Sequence, residues 1–418
     1  MGWNSWDSYG LTITEAEFQD NVRWMAAHLK KYGWEYTVID EGWYLQNPQS
    51  GGKPAWIYTL SQDGRYLPAV NRFPSAAHDL GFKPLADSVH ALGLKFGIHI
   101  LRGIPREAVA KNLPIANSSF HAQDAANTSD TCGWNPDNFG VRDNAAGQAY
   151  YDSIARLYAS WGVDFIKVDC ISSPYIESEI HMLSAALRKS GRPIVLSLSP
   201  GGTPVDKFDD VRQYAQMWRV SGDVWDHWGP DPKVDWSQGL KAQFAMLSRW
   251  AGKQGPEGWP DADMLPLGFL GPRPGLGDPR TTSFTPDEQR TFMTLWTVFR
   301  SPLMMGGNLS HSDLWTESLL TNPEVIALDQ HSTYNHPVIE TESTIVWTAK
   351  PENGQGDYVA VFNVSDAPQT VRYAWKDLEL DRSGYHVRDL WEKKNLGTAS
   401  LLQLTLQPHA SALYELTP

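Results

Sequence analysis

Two stretches of this chain place acidic residues where covalent chemistry could be done. In Lys167-Val168-Asp169 the lysine and the aspartate are two positions apart inside an apolar run. A strand there would turn both side chains to one face. Charge on such a face is costly to bury unless paired. Two readings stay open: a structural Lys–Asp ion pair, or a carboxylate kept ionised by the neighbouring ammonium, as a nucleophile requires. In Trp218-Arg219-Val220-Ser221-Gly222-Asp223 a second carboxylate follows another apolar run, and Asp226 comes next, between Trp225 and Trp228. Burial among aromatic rings would raise a carboxyl pKa, as an acid needs. A helix N-cap is the alternative role for either aspartate. Two carboxyls in unlike settings match the nucleophile and acid/base of a retaining glycosidase.

These residues need a scaffold, and the pattern up to about residue 330 supplies one. Short β-branched runs alternate with amphipathic segments. Helical periodicity covers Glu15 to Lys31, Leu85 to Leu92, Ala145 to Ser160, Ile176 to Lys189 and Asp287 to Phe299. Glycines at 33, 93, 162 and 191 stop four helices. The strand-like runs are Tyr36 to Asp40, Lys95 to Ile100, Phe165 to Asp169, Ile194 to Ser197, Gln216 to Arg219 and Leu303 to Met305. Strands separated by helices pair in parallel through right-handed crossovers. No Gly-x-Gly-x-x-Gly opens the first strand–helix turn, which removes the usual dinucleotide-binding signal. A polar residue instead recurs at strand ends: Asp40, His99, Asp169, Ser197, Arg219. A (β/α)8 TIM barrel collects its active site from such ends, so residues 1–330 read as a catalytic barrel. Residues 331–418 read as an antiparallel β-sandwich, with short strands at Thr344 to Thr348, Tyr358 to Phe362, Thr370 to Tyr373 and Ala412 to Leu416, and a turn at Glu352-Asn353-Gly354.

Composition narrows the partners. The 35 Lys and Arg against 48 Asp and Glu give a net charge of −13, which argues against nucleic acid and anionic membranes. No apolar stretch approaches the ~20 residues of a transmembrane helix. The 19 Trp beside many Asp suit a surface that stacks on sugar rings and binds their hydroxyls. Met1-Gly2-Trp3-Asn4-Ser5-Trp6 has no basic or apolar leader region. The expected compartment is the cytoplasm, or the periplasm or exterior if a leader was removed before Met1. Oligomeric state is not readable.

The motifs resemble glycoside hydrolase family 27, the α-galactosidase and α-N-acetylgalactosaminidase family, over essentially the whole chain. The resemblance runs through Gly2-Trp3-Asn4-Ser5-Trp6, Ile39-Asp40-Glu41-Gly42-Trp43, Lys95-Phe96-Gly97-Ile98, Lys167-Val168-Asp169 and Trp218-Arg219 with Asp223. It continues through Trp259-Pro260-Asp261-Ala262-Asp263-Met264-Leu265, Ser301-Pro302-Leu303-Met304-Met305-Gly306-Gly307 and Asn322-Pro323-Glu324-Val325-Ile326-Ala327. It implies Asp169 as nucleophile and Asp223 as acid/base, with Arg219 binding the sugar. Asp40 would hold the outer hydroxyls, Lys167 a ring hydroxyl, and Trp3 the aromatic floor. Asp263 would lie beside the 2-hydroxyl, with Met264 its apolar neighbour. Hydrolysis with retention asks for no metal and no cofactor. The implied partner is an oligosaccharide or polysaccharide glycoside, with terminal α-D-galactosyl as the expected residue.

Departures from the family pattern bear on which sugar binds. An Asp-Asp pair is usual where Asp40-Glu41 stands. One extra methylene carries the Glu41 carboxylate about 1.5 Å further, toward where the C6 hydroxymethyl of galactose would lie. Either Glu41 rotates away, or the pocket prefers β-L-arabinopyranose, which has the same ring hydroxyls and no C6. His99 replaces a typical Tyr, and the following Leu101-Arg102-Gly103-Ile104-Pro105-Arg106 is an insertion. His99 would line the pocket or be a satisfied core histidine. Ser199, within Ser197-Leu198-Ser199-Pro200-Gly201-Gly202, leaves room of the kind that accepts a 2-acetamido group. Cys132 counts among the candidate site residues, and a Cys132–Cys170 bridge is open, although Cys170 is one position off the usual place. Trp225, His227 and Trp228 would line the leaving-group side or only pack together. Asp7, Asp261 and Arg102 would be supporting or surface positions. An isomalto-type glucan hydrolase remains a further alternative.

Two other classes fit less well. A sugar-binding protein on a dead barrel would lack a carboxylate, yet both are present. A metal-dependent isomerase would need carboxylates converging on one cation, which Lys167 and Arg219 would repel.

Overall fold

The computed structural model describes residues 1–49, 55–352 and 354–418. Its main sheet has strands β1 Gly2–Asn4, β2 Tyr36–Ile39, β3 Lys95–Leu101, β4 Phe165–Asp169, β5 Val195–Leu198, β6 Met217–Arg219, β7 Trp259–Asp261 and β8 Met304–Met305. Their order is β7-β6-β5-β4-β3-β2-β1-β8. Chain neighbours are sheet neighbours, and β8 returns to β1. The pairings from β8 through β1 to β6 are parallel. Helices α1 Glu15–His28, α2 Lys83–Ala91, α3 Ala145–Trp161, α4 Glu177–Lys189, α5 Phe208–Tyr214, α6 Leu240–Ser248 and α7 Pro286–Phe299 make the crossovers. This is a TIM-barrel-like (β/α)8 fold.

By packing, the chain divides into two compact units. The first comprises Met1–Arg219, Phe269–Arg280 and Met304–His311. Its helices start and stop where local chemistry dictates. Thr14 and Glu17 form a reciprocal capping box on α1. Gly162 ends α3 with φ 82°, a left-handed conformation that costs a residue without Cβ little. In β4, Ile166 and Val168 are fully buried, and strand alternation sets them on the face opposite Lys167 and Asp169. After β3 the chain leaves the barrel pattern. Ile104–Pro105, Asn138–Val141 and Ala126–Thr131 form a small antiparallel sheet, so the insertion is a folded excursion tethered to the end of β3.

The second unit comprises Val220–Gly268, Thr281–Leu303 and Ser312–Pro418. In it α7 is deeply buried through Phe292, Leu295, Trp296 and Phe299. The C-terminal strands are β9 Ser332–Glu340, β10 Thr344–Pro351, β11 Asp357–Asn363, β12 Gln369–Ala374, β13 Tyr385–Asp389, β14 Lys394–Ala399, β15 Leu401–Leu406 and β16 Ser411–Thr417. One sheet runs β9-β10-β11-β16-β13-β14 and a second pairs β12 with β15. Val346, Val359, Val361, Val371, Trp375 and Leu416 are among the residues of the sandwich core. Asn353 of the expected turn lies outside the described residues. Among the described residues, no helix is long and apolar enough to cross a membrane.

Helix α7 shows how much one cap carries. Thr285 Oγ1 accepts from Glu288 N at 3.2 Å, and Thr285 N donates back to Glu288 at 2.8 Å. Thr285→Ala is expected to lower unfolding free energy by about 1 kcal/mol, and Thr285→Ser by much less. Urea titration of both variants checks this; equal losses would place the stabilisation elsewhere than in the hydroxyl.

Candidate active site

Within the first unit, the ends of β1, β2, β3 and β4 bring one polar cluster together. Asp40, just past β2, is 2% exposed. Its Oδ2 accepts from Lys167 Nζ at 2.8 Å and from Asn4 Nδ2 at 2.7 Å. Its Oδ1 accepts from Glu41 N at 2.8 Å, and its own N–H donates to Ser5 Oγ at 3.0 Å. Burial opposes the charge on Asp40. The Lys167 ammonium, His99 and the hydrogen bonds from Lys167 and the Glu41 amide outweigh it and hold the carboxyl well below the usual carboxylate range. Trp3 is fully buried, and its indole N–H donates to Gly307 O at 2.8 Å.

Lys167 and Asp169 do share a face, but the ion pair with the Lys167 ammonium is made across the sheet by Asp40. The group seen against Asp169 is His99, whose Nε2 lies 3.2 Å from Asp169 Oδ2. His99 stands opposite Lys167 in the β3–β4 register and is 1% exposed. Burial would lower its pKa. The charge of Asp40 and the contact with Asp169 override this and raise it. Trp43 Nε1 donates to the His99 carbonyl at 2.7 Å, which anchors the backbone behind the ring.

The loops around this cluster are cross-braced. Cys132 and Cys170 form a disulfide, both buried, with Leu101 packed against them. Cys170 has φ 63°, a strained conformation for a non-glycine residue directly after Asp169. The Arg102 guanidinium supports that corner: Nε donates to Cys170 O at 2.7 Å. Its Nη1 reaches Glu179 at 2.6 Å and Asp130 at 2.9 Å, and Nη2 reaches Asp130 at 2.7 Å. Arg102 is therefore a buried brace and not a surface position. Asn135, on the loop after Cys132, donates its side-chain N–H to Glu41 Oε1. Further along the sheet, Ser199 and Arg219 are each 1% exposed, and Arg219 Nη1 approaches Ser199 Oγ at 3.5 Å.

In the second unit, the loop after β6 carries Asp223, which is half-buried. Its carbonyl accepts from Gln238 N at 2.8 Å. The next amide, Val224 N, donates to Asp263 Oδ2 at 2.8 Å. Asp263 is 3% exposed with φ 94°, and its carbonyl accepts from Trp296 Nε1 at 2.8 Å. Asp263 N donates to Asp261 Oδ1 at 2.9 Å, which gives the buried Asp261 a supporting role. Met264 is buried beside it. The two aspartates after β6 now separate: Asp226 is 4% exposed and its Oδ2 is taken by Ser283 N at 2.7 Å. Trp225 is buried, and Trp228 stacks on His409 with centroids 3.9 Å apart. That part of the aromatic loop packs against the sandwich.

Sequence reasoning named Asp40, Glu41, His99, Lys167 and Asp169, which the fold brings together at the strand ends. It missed Asn4, Asn135, Asp130 and Glu179, the residues that orient them. Asn4 lies within a quoted motif, but Asn135, Asp130 and Glu179 sit in a loop, a strand and a helix with no motif to mark them.

Residues 129–331 match the family profile described as alpha galactosidase A, and residues 341–416 match the alpha galactosidase C-terminal beta sandwich domain. An α-galactosidase of Cyamopsis tetragonoloba is 28% identical over 100% of this chain and 86% of its own. The solved structure of a family 27 β-L-arabinopyranosidase from Geobacillus stearothermophilus is 46% identical with a TM-score of 0.94, covering 100% of this chain and 96% of that one. A variant of that enzyme was solved in complex with arabinose.

The Asp40 cluster has a measurable signature. A carboxyl whose folded pKa is depressed stabilises the fold above its unfolded pKa of about 3.9, and that contribution is lost as pH falls toward the folded value. The gap in unfolding free energy between the native chain and Asp40→Asn should therefore be largest above about pH 5 and shrink on acidification. Urea melts from pH 3 to 7 test this; a gap independent of pH would mean that Asp40 titrates normally.

Proposed function

Because the chain belongs to glycoside hydrolase family 27, we propose that this hydrolase removes terminal β-L-arabinopyranosyl residues, with α-D-galactosyl as the poorer substrate. The observation that carries the choice of sugar is the anchoring of Glu41. Its carboxylate is bonded to Asn135. Asn135 is 3% exposed, and its Oδ1 accepts from Asp137 N at 3.1 Å. The amide is thus already oriented, and turning Glu41 away would break a partly buried, charge-assisted bond. The glutamate spans from the Asp40 side chain to the loop of Cys132, and on this reading the span fills the wall that a C6 hydroxymethyl would need. A pentopyranose keeps the ring hydroxyls that Asp40 and Lys167 would bind and has nothing to place there. The 46% identical arabinopyranosidase supports the same choice.

Catalysis follows the two-carboxylate double displacement. Asp169 attacks the anomeric carbon, while Asp223 protonates the departing oxygen. Asp223 then takes a proton from water as the water displaces Asp169, with net retention. Asp40, held ionised by Lys167, accepts hydrogen bonds from the outer ring hydroxyls, and Lys167 donates to one of them. Trp3 lies under the apolar face of the ring. Arg219, His99, Ser199 and Cys132 would complete the sugar's surroundings in the first unit, and the family resemblance assigns Asp263 and Met264 to the 2-hydroxyl. Ser199 is buried and within reach of Arg219, so the small side chain is occupied locally and a 2-acetamido pocket is not favoured.

A second reading, a galactosidase, keeps support from the 28% identical relative. The two are separated by assaying p-nitrophenyl β-L-arabinopyranoside and α-D-galactopyranoside side by side. The native enzyme should favour the arabinoside. Glu41→Asp should move the ratio of kcat/KM values toward the galactoside by about tenfold or more, the discrimination a single methylene can impose. A native preference for the galactoside, unchanged in Glu41→Asp, would overturn the sugar assignment. Asp169→Asn should lose turnover by several orders of magnitude while retaining sugar binding by calorimetry; substantial residual turnover would remove Asp169 from the nucleophile's role.

A further inference from the structure

The two carboxylate oxygens of Asp169 have different surroundings. Oδ2 meets His99 Nε2 at 3.2 Å. Oδ1 is buried with no hydrogen-bond partner among the described residues. With Oδ1 closed off in this way, the contact with His99 is the hydrogen bond the carboxylate makes among the described side chains. His99 is equally asymmetric, because its Nδ1 is buried and also without a partner among the described residues. Against an ionised carboxylate, only a proton on Nε2 turns the 3.2 Å contact into a hydrogen bond, since a bare nitrogen lone pair would face an oxygen lone pair. The ring's place is set by the β3–β4 register and by Trp43 on the His99 carbonyl.

We propose that His99 is a positioning residue whose Nε2–H holds the Asp169 carboxylate through Oδ2 and stabilises it whenever it is free of the sugar. The inference rests on Asp169 being the nucleophile. In the first displacement a bond forms between one carboxylate oxygen of Asp169 and the anomeric carbon. The bond from that carbon to the leaving oxygen breaks, and that oxygen takes the proton of the acid. The other carboxylate oxygen becomes the carbonyl oxygen of the resulting ester. In the second displacement a water oxygen bonds to the anomeric carbon and gives its proton to the acid/base carboxylate. The electron pair of the bond between the ester oxygen and that carbon returns to Asp169. A hydrogen bond to a full carboxylate is stronger than one to an ester carbonyl. The His99 N–H therefore opposes the attack slightly and assists the release, which makes it a determinant of the second step.

This predicts a kinetic split that simple misplacement of the nucleophile would not produce. With the p-nitrophenyl substrates, His99→Leu should lower kcat on the order of tenfold and lower KM in parallel, leaving kcat/KM within about threefold. Stopped-flow traces should then show a burst of p-nitrophenol, because the glycosyl-enzyme accumulates. His99→Gln, which keeps an N–H donor, should recover most of the kcat and abolish the burst. If circular dichroism shows His99→Leu unfolded, His99→Asn, whose amide falls short of Asp169, takes its place. A matched fall in kcat and kcat/KM without a burst, or a glutamine variant no better than leucine, overturns the inference. The nucleophile is checked separately by trapping the native enzyme with an activated fluoroglycoside and mapping the labelled peptide. A label away from Asp169 removes the catalytic reading, while a label on Asp169 with no kinetic split removes only the role of His99.

Discussion

The buried ion pair between Lys167 and Asp40 is the interaction on which the polar cluster at the strand ends depends. Each partner is a charge on the inner face of a parallel sheet, where an isolated charge would be several kcal/mol unfavourable. Together, with Asn4 taking a further lone pair, they form a neutral and hydrogen-bonded group spanning β1, β2 and β4. Asp169 meets the Nε2 of His99, which stands on the neighbouring strand β3. Lys167 shares a short motif with Asp169 on β4 but stabilises the carboxylate of the neighbouring strand end.

A second layer of braces holds the ends of the strands in place. Arg102 ties the carbonyl of Cys170 to Asp130 and Glu179, and the disulfide joins Cys170 to the loop that carries Asn135. Asn135 in turn holds Glu41. The insertion after β3 thus reaches Glu41 through a chain of named contacts. A single excursion joins two of the departures from the family pattern, Glu41 and the residues from Leu101 to Arg106.

In the second unit the same economy appears with backbone donors. Asp263, strained at positive φ, accepts from the amide that follows Asp223, and Trp296 of α7 fixes the Asp263 carbonyl. Asp226, equally acidic and equally surrounded by Trp in the sequence, is instead committed to the backbone of Ser283. A half-buried Asp223 beside a buried and occupied Asp226 is a distinction of environment, not of residue type.

What the sequence determined by itself was the alternation of strands and helices, the family, and the strand-end residues Asp40, His99, Asp169 and Arg219. Those depend on local periodicity and on contiguous motifs, and both are written along the chain. It did not reveal β1 or β7 as strands, because three-residue segments such as Gly2–Asn4 and Trp259–Asp261 are too short to show an alternation. Half of the sandwich strands were likewise hidden. Most of β14 faces solvent, and β9 is broken by register shifts, so neither shows an apolar face. Only the tertiary structure decided which cation pairs with which carboxylate, that Cys132 reaches Cys170, and that Asn135 holds Glu41. Lys167 and Asp40 are far apart in the chain and 2.8 Å apart in space. A hydrogen bond reads distance and direction between atoms, and the folded sheet alone sets those.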